Sequence, residues 1–254
     1  MSKSKKKVPK TSQHESPDAS AHVDELQPWH ITPMGCLYAS AVLIGLVLIT
    51  FPFDLAISNW FREHPLRGDL KRLINLCEAF GYGFTALLVI ITAATIDLRG
   101  WRVVPRLLLG TYGAGGAANL GKIVVARWRP NTTFEPNGVR DSFVSWFPWI
   151  WPDELPGPWN SGYASFPSGH SATAVGLALS LSIFYPKGTW WFLFLAGLTM
   201  LQRIESRAHY PSDTFAGAAG AWPGPPLRPP TPRRARRPRP RAIAPPAWTE
   251  TRRA

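Results

Sequence analysis

The chain has 254 residues, 45% of them hydrophobic, and a formal net charge of +12. That charge sits at the ends: nine arginines against one glutamate (Glu250) between Pro223 and Ala254, and Lys3, Lys5, Lys6, Lys7 and Lys10 at the start. Two basic ends flanking apolar blocks argue against a nucleic-acid-binding domain, whose cations would be spread over a folded surface. Cys36 and Cys77 have no metal-ligand spacing, which argues against a zinc site or a disulfide framework.

Residues 1–30 are polar and read as a disordered cytoplasmic tail, too long for a signal-peptide n-region, so the first apolar run is expected to be an uncleaved span. Met34 to Phe53 carries no charge over about twenty residues, enough for a hydrocarbon core of roughly 30 Å. Between Asp54 and Glu78, Leu70, Leu73, Ile74 and Cys77 recur at helical spacing and predict an amphipathic interfacial helix. Phe80 to Ile96 is a second span, closed by Asp97, Arg99 and Arg102. Val103 to Val125 is a third, interrupted by Arg106 and Lys122. Its GTYGAGGAANLG centre suits close helix packing; no preceding strand or GK[ST] supports a phosphate-binding loop.

Asn131 to Phe166 is a polar and aromatic loop whose Trp146, Trp149, Trp151 and Trp159 suit a membrane–water interface. Ser168 to Tyr185 and Thr189 to about Leu201 are the fourth and fifth spans. A sixth, Ser212 to Trp222, covers only about 16 Å before Pro223-Gly224-Pro225-Pro226, which cannot continue a helix. The expected fold class is all-α: a multi-pass transmembrane bundle over 31–222 with five full spans plus a truncated sixth. The Pro/Arg-rich remainder, 223–254, reads as disordered or as out-of-frame translation. By the positive-inside rule the N-terminal lysines, Arg99, Arg102, Arg106 and Lys187 face the cytoplasm, although Arg62, Arg67, Lys71 and Arg72 fall on the other side.

With that alternation, three charged clusters emerge on one non-cytoplasmic face. Lys122 and Arg129 are two helical turns apart and can share a face. Pro167-Ser168-Gly169-His170 begins a span, where a Ser N-cap and free backbone N–H groups make an anion site. Arg203 to Asp213 supplies an arginine, His209 and, four residues on, Asp213, close enough to bond and orient the imidazole. Each cluster alone has a bland reading: snorkelling charges, a helix cap, a topological anchor.

Together the clusters resemble the signature of the type 2 phosphatidic acid phosphatase superfamily: K-x6-R-P, then P-S-G-H, then S-R-x5-H-x3-D. Lys122 to Pro130, Pro167 to His170, and Arg203, His209 and Asp213 match, with Gln202 in place of the usual serine. The resemblance implies a metal-independent membrane lipid phosphatase without cofactor. His209 would be the nucleophile forming a phosphohistidine, Asp213 its orienting carboxylate and His170 the acid for the leaving oxygen. Lys122, Arg129, Ser168, Gly169 and Arg203 would bind the phosphate. The implied partners are a lipid phosphate or pyrophosphate and membrane lipids, with no nucleic acid, and the implied location is a bacterial inner membrane. Arg207 is expected at a second phosphate or a headgroup, or simply facing water, Glu205 beside an arginine, and His14, His22, His30 and His64 outside the site. The alternatives are a non-catalytic membrane protein that keeps the motifs on a truncated scaffold and a vanadate-binding, haloperoxidase-like site. The second suits soluble relatives better than this apolar chain.

Overall fold

The computed structural model describes residues 33–132, 136–155 and 160–221. Both expected tails, Trp159, Trp222, His14, His22 and His30 lie outside them. The first apolar run forms α1 (Pro33–Thr50). Leu37, Tyr38, Val42 and Leu48 on it are more than half exposed, so little protein covers it. A helix apolar all round and this bare is suited to hydrocarbon. A 3-10 turn, Phe51–Phe53, leads into α2 (Asp54–Glu63).

The expected amphipathic helix is α3 (Gly68–Gly81), followed by α4 (Gly83–Ile96). The two are bent by 71°, so the second apolar helix starts at Gly83, not at Phe80. Ile74 and Cys77 on α3 are buried while Leu70 and Leu73 are exposed, which splits the apolar set between two faces. Thr199 Oγ1 donates to the Cys77 carbonyl at 2.7 Å and ties α3 into the bundle.

The remaining helices are α5 (Val104–Val124), α6 (Gly169–Phe184), α7 (Thr189–Glu205) and α8 (Pro211–Ala219). Helix α6 is the centre: eleven of its sixteen residues are buried, and α3, α4, α5, α7 and α8 all pack on it. Small residues permit this. A Cβ at Gly176 would collide with the Gly110 carbonyl of α5, and one at Gly217 with the Ser168 carbonyl. The glycine-rich centre of α5 therefore serves helix packing, and Gly217 lets α8 lie against the start of α6.

The all-α reading holds, with one addition. The segment after α5 forms β1 (Val125–Arg127), paired antiparallel with β2 (Phe143–Trp146) in the tryptophan loop. Val125 faces Trp146 and Ala126 faces Ser145, with a register shift before Arg127 pairs Phe143.

Length and apolarity alone qualify Met34–Glu63 as a membrane span, and the bent pair Gly68–Gly81 with Gly83–Ile96 as a second. Taken singly, the other expected spans, α4 included, miss that test for physical reasons. Helices α4 and α6, with 14 and 16 residues, reach only about 21 and 24 Å, and α5 carries Arg106, Lys122 and many glycines. Helix α7 runs one turn beyond the expected end at Leu201, so Arg203 is helical.

Candidate active site

The charged clusters of the sequence meet at one end of the bundle, where α5 and α7 finish and α6 and α8 begin. Ser168 is the N-cap of α6, its hydroxyl accepting from Ser171 N at 3.4 Å and from Ser171 Oγ at 3.0 Å. Its own N–H donates to the Asp213 carbonyl at 3.0 Å, which joins the second block to the third. A Cβ at Gly169 would lie 3.7 Å from Lys122 Nζ, so the first block reaches the same helix start. Backbone N–H groups, the positive helix end and an ammonium there form one anion-attracting surface.

The Arg203 carbonyl accepts from Ala208 N and His209 N, each at 3.2 Å, and this turns the chain back after α7. Arg207 closes the turn in the left-handed region (φ 57°), where its side chain donates to the Pro130 carbonyl. It is thus tied to the loop that follows Arg129. Glu205 pairs with Lys71 at 3.3 Å rather than with an arginine, because α7 delivers it to α3. His64 stacks on Trp60 and lies on α2's exposed end, away from the cluster.

His209 is 2% exposed, and its Nδ1 lies 2.7 Å from the Ser165 carbonyl. A carbonyl only accepts, so Nδ1 carries the proton and Nε2 keeps its lone pair. Here the expectation for Asp213 is corrected. Its Oδ2 is 3.9 Å from Nδ1, beyond hydrogen-bond length. Asp213 instead accepts from Ser165 Oγ at 2.6 Å, from Tyr210 N at 2.9 Å, and from Arg127. It orients His209 at one remove, by holding the residue whose carbonyl holds the imidazole. Burial first, then Arg129, Lys122 and Arg203, keep the His209 imidazole well below its ordinary value, against a smaller opposing effect of the Ser165 carbonyl.

Sequence reasoning missed three members of this neighbourhood. Arg127 is fully buried; Nε donates to Ser142 Oγ at 3.0 Å, Nη1 to Ser212 Oγ at 2.9 Å, and Nη2 to Asp54 Oδ2 at 2.7 Å. Its guanidinium also lies 4.2 Å from the Tyr210 ring centroid and 4.6 Å from that of Phe143. Asp54, also fully buried, accepts from Ser212 N at 3.0 Å and pins α2 to the start of α8. The third is Glu78 on α3, paired with Arg203 Nη1 and 3.7 Å from His170 Nε2. An acidic residue directly after an apolar run, as at Asp54, was the available signal.

Arg129 and Arg203 differ from Arg127. Their Nε atoms are buried and make no hydrogen bond among the described residues. Burial and Arg203 push the Arg129 guanidinium below its ordinary value, while Asp213 opposes the shift. Buried donors without partners are uncommon in native proteins, and each calls for an explanation.

Over 204 residues, 74% of this chain and 80% of the relative, the sequence is 33% identical to the lipid A 1-phosphatase of Rhizobium etli. The PAP2 superfamily model matches residues 104–223. The chain belongs to the PAP2 superfamily. A lipid A 1-phosphatase of Rhizobium johnstonii is 34% identical over 110 residues, covering 43% of this chain and 40% of that relative. No solved structure matches significantly. Family and relatives together make this PAP2 protein a phosphatase, and the matched segment contains all three charged blocks.

Proposed function

We propose that the chain is a membrane lipid phosphatase working through a phosphohistidine. The observation that carries this is the pair of buried, unpartnered donors, Arg129 Nε and Arg203 Nε, beside Lys122 and the start of α6. They suit a dianionic phosphoryl group, which offers several acceptors and favours planar guanidinium donors.

In this reading the His209 Nε2 lone pair attacks phosphorus, and the developing imidazolium keeps its Nδ1–H on the Ser165 carbonyl. His170 gives a proton to the departing oxygen and then takes one from the water that cleaves the N–P bond. Lys122, Arg129, Arg203, the Ser168 N-cap and the Gly169 N–H balance charge on the equatorial oxygens. Arg127 and Asp54 take no part in bond making; they fix Asp213 and, through Ser165, the nucleophile.

The relatives' names favour lipid A as the substrate and its 1-phosphate as the group removed. A multi-pass topology accompanies this, with α1, α4, α5, α6, α7 and α8 crossing in alternation and the site on the non-cytoplasmic face. The exposed Trp146, Trp149 and Trp151 beside the site would then lie among headgroups. The assembled cradle favours catalysis over a motif-bearing, inactive protein. The test is phosphate release from lipid A and a panel of other lipid phosphates by the purified chain in detergent, with acid-labile phosphoenzyme trapped by rapid quench. No release from any lipid, or phosphoenzyme surviving in His209→Ala, refutes the proposal.

A further inference from the structure

Glu78 is a carboxylate inside a site that binds an anion, and the mechanism above gives it no task. Its position is fixed by more than its own bonds. Helix α3 is held by Thr199 on the Cys77 carbonyl at 2.7 Å, by Lys71 on Glu205 at 3.3 Å, and by the bare Gly81, where a Cβ would sit 2.6 Å from the His170 carbonyl oxygen. These contacts place Glu78 Oε1 on Arg203 Nη1 and 3.7 Å from His170 Nε2. Arg203 Nε is not used by Glu78, so one guanidinium can hold both the carboxylate and a phosphoryl oxygen.

His170 marks the side from which the leaving group departs, a step that rests on the reading given under Proposed function. The leaving group must therefore pass a fixed negative charge. From a phosphomonoester the P–O bond breaks, its electron pair goes to the alkoxide oxygen, His170 supplies the proton, and a neutral alcohol leaves. Neighbouring hydroxyls of such an alcohol could donate to Glu78. From a lipid diphosphate the same bond cleavage releases a phosphate-bearing lipid that is anionic whether or not it takes the proton. Like charges held together in a partly dewatered site repel strongly, and such repulsion is a general source of selectivity.

We infer that Glu78 is a specificity-determining residue: it selects phosphomonoesters, whose leaving oxygen departs as an uncharged hydroxyl, and disfavours lipid diphosphates. The experiment uses the full chain in detergent with isoprenyl monophosphate and isoprenyl diphosphate of one chain length. Wild type is expected to show kcat/KM at least about tenfold higher for the monophosphate. Glu78→Gln keeps the side chain's size and an oxygen for Arg203, and should narrow the ratio to about threefold or less, through a gain on the diphosphate. A merely structural role lowers both substrates alike and leaves the ratio unchanged; that result overturns the inference, as does a wild type that prefers the diphosphate. Should Glu78→Gln fail to fold, inhibition of the wild type decides. Pyrophosphate binding no tighter than inorganic phosphate supports the inference, and pyrophosphate binding tenfold or more tighter refutes it. Failure of the phosphatase reading is distinguishable, since then neither isoprenyl phosphate nor lipid A releases phosphate.

Discussion

Arg127 and Arg129 are two residues apart in the same short segment and have opposite fates. Arg127 has every nitrogen engaged, by Ser142, Ser212, Asp213 and Asp54, and none of it reaches solvent. Arg129 keeps a buried Nε with no partner, and its Nη2 makes only a long 3.5 Å contact to the Ala164 carbonyl. The difference is acidic company. Asp54 and Asp213 satisfy Arg127 by direct hydrogen bonds, whereas Arg129 feels Asp213 without bonding it, has Arg203 and Lys122 for neighbours, and is the one proposed to receive an anion. A satisfied buried arginine supports the scaffold; an unsatisfied one is available for binding.

The largest effect expected is on the group both arginines serve. His209→Ala should cut phosphate release on the order of 10⁴-fold or more and abolish phosphoenzyme, with circular dichroism unchanged. Next comes the arginine pair itself. Arg129→Gln should lower kcat/KM about 10²- to 10³-fold with little change in melting temperature. Arg127→Met should cost about 3–5 kcal/mol of stability, because it leaves Asp54 and Asp213 buried without their cation. Thermal melting in detergent beside kinetics separates the two; matching profiles for both variants would break the comparison.

A smaller effect concerns pH. The folded His209 is held below its ordinary value, so as pH falls below about 6.5 the unfolded chain takes up a proton that the folded chain refuses. Stability is therefore lost on acidification, by at most about 1.4 kcal/mol per pH unit until the folded group also protonates. His209→Asn should show a shallower decline of melting temperature between pH 7 and pH 5 than wild type. The smallest effect is expected at an exposed pair: Arg72→Ala should change stability by about 0–1 kcal/mol, since Arg72 and its partner Asp69 both lie in solvent.

Much of the site was legible in order and spacing. Lys122, Arg129, Ser168, Gly169, His170, Arg203, His209 and Asp213 do come to one end of the bundle, because alternating helices return every second connection to the same face. The span pattern was legible where apolar runs were long and uninterrupted, as in α1. It was blurred where glycines or charges diluted the run, as in α5, and at Gly81 to Gly83, where a 71° bend divides one apolar stretch between two helices.

The sequence by itself determined the helical class, the membrane-suited apolar blocks and the three charged blocks from which the proposed phosphate site is drawn, since these depend on residue type and local period. Tertiary structure alone decided who touches whom. Asp213 is four residues from His209, yet Arg127, 86 residues away, claims its carboxylate, and the imidazole turns to the Ser165 carbonyl. Glu78 enters from a helix outside all three blocks. Electrostatic pairing in a buried site is settled by through-space distance and competing partners, and neither can be read from spacing along the chain.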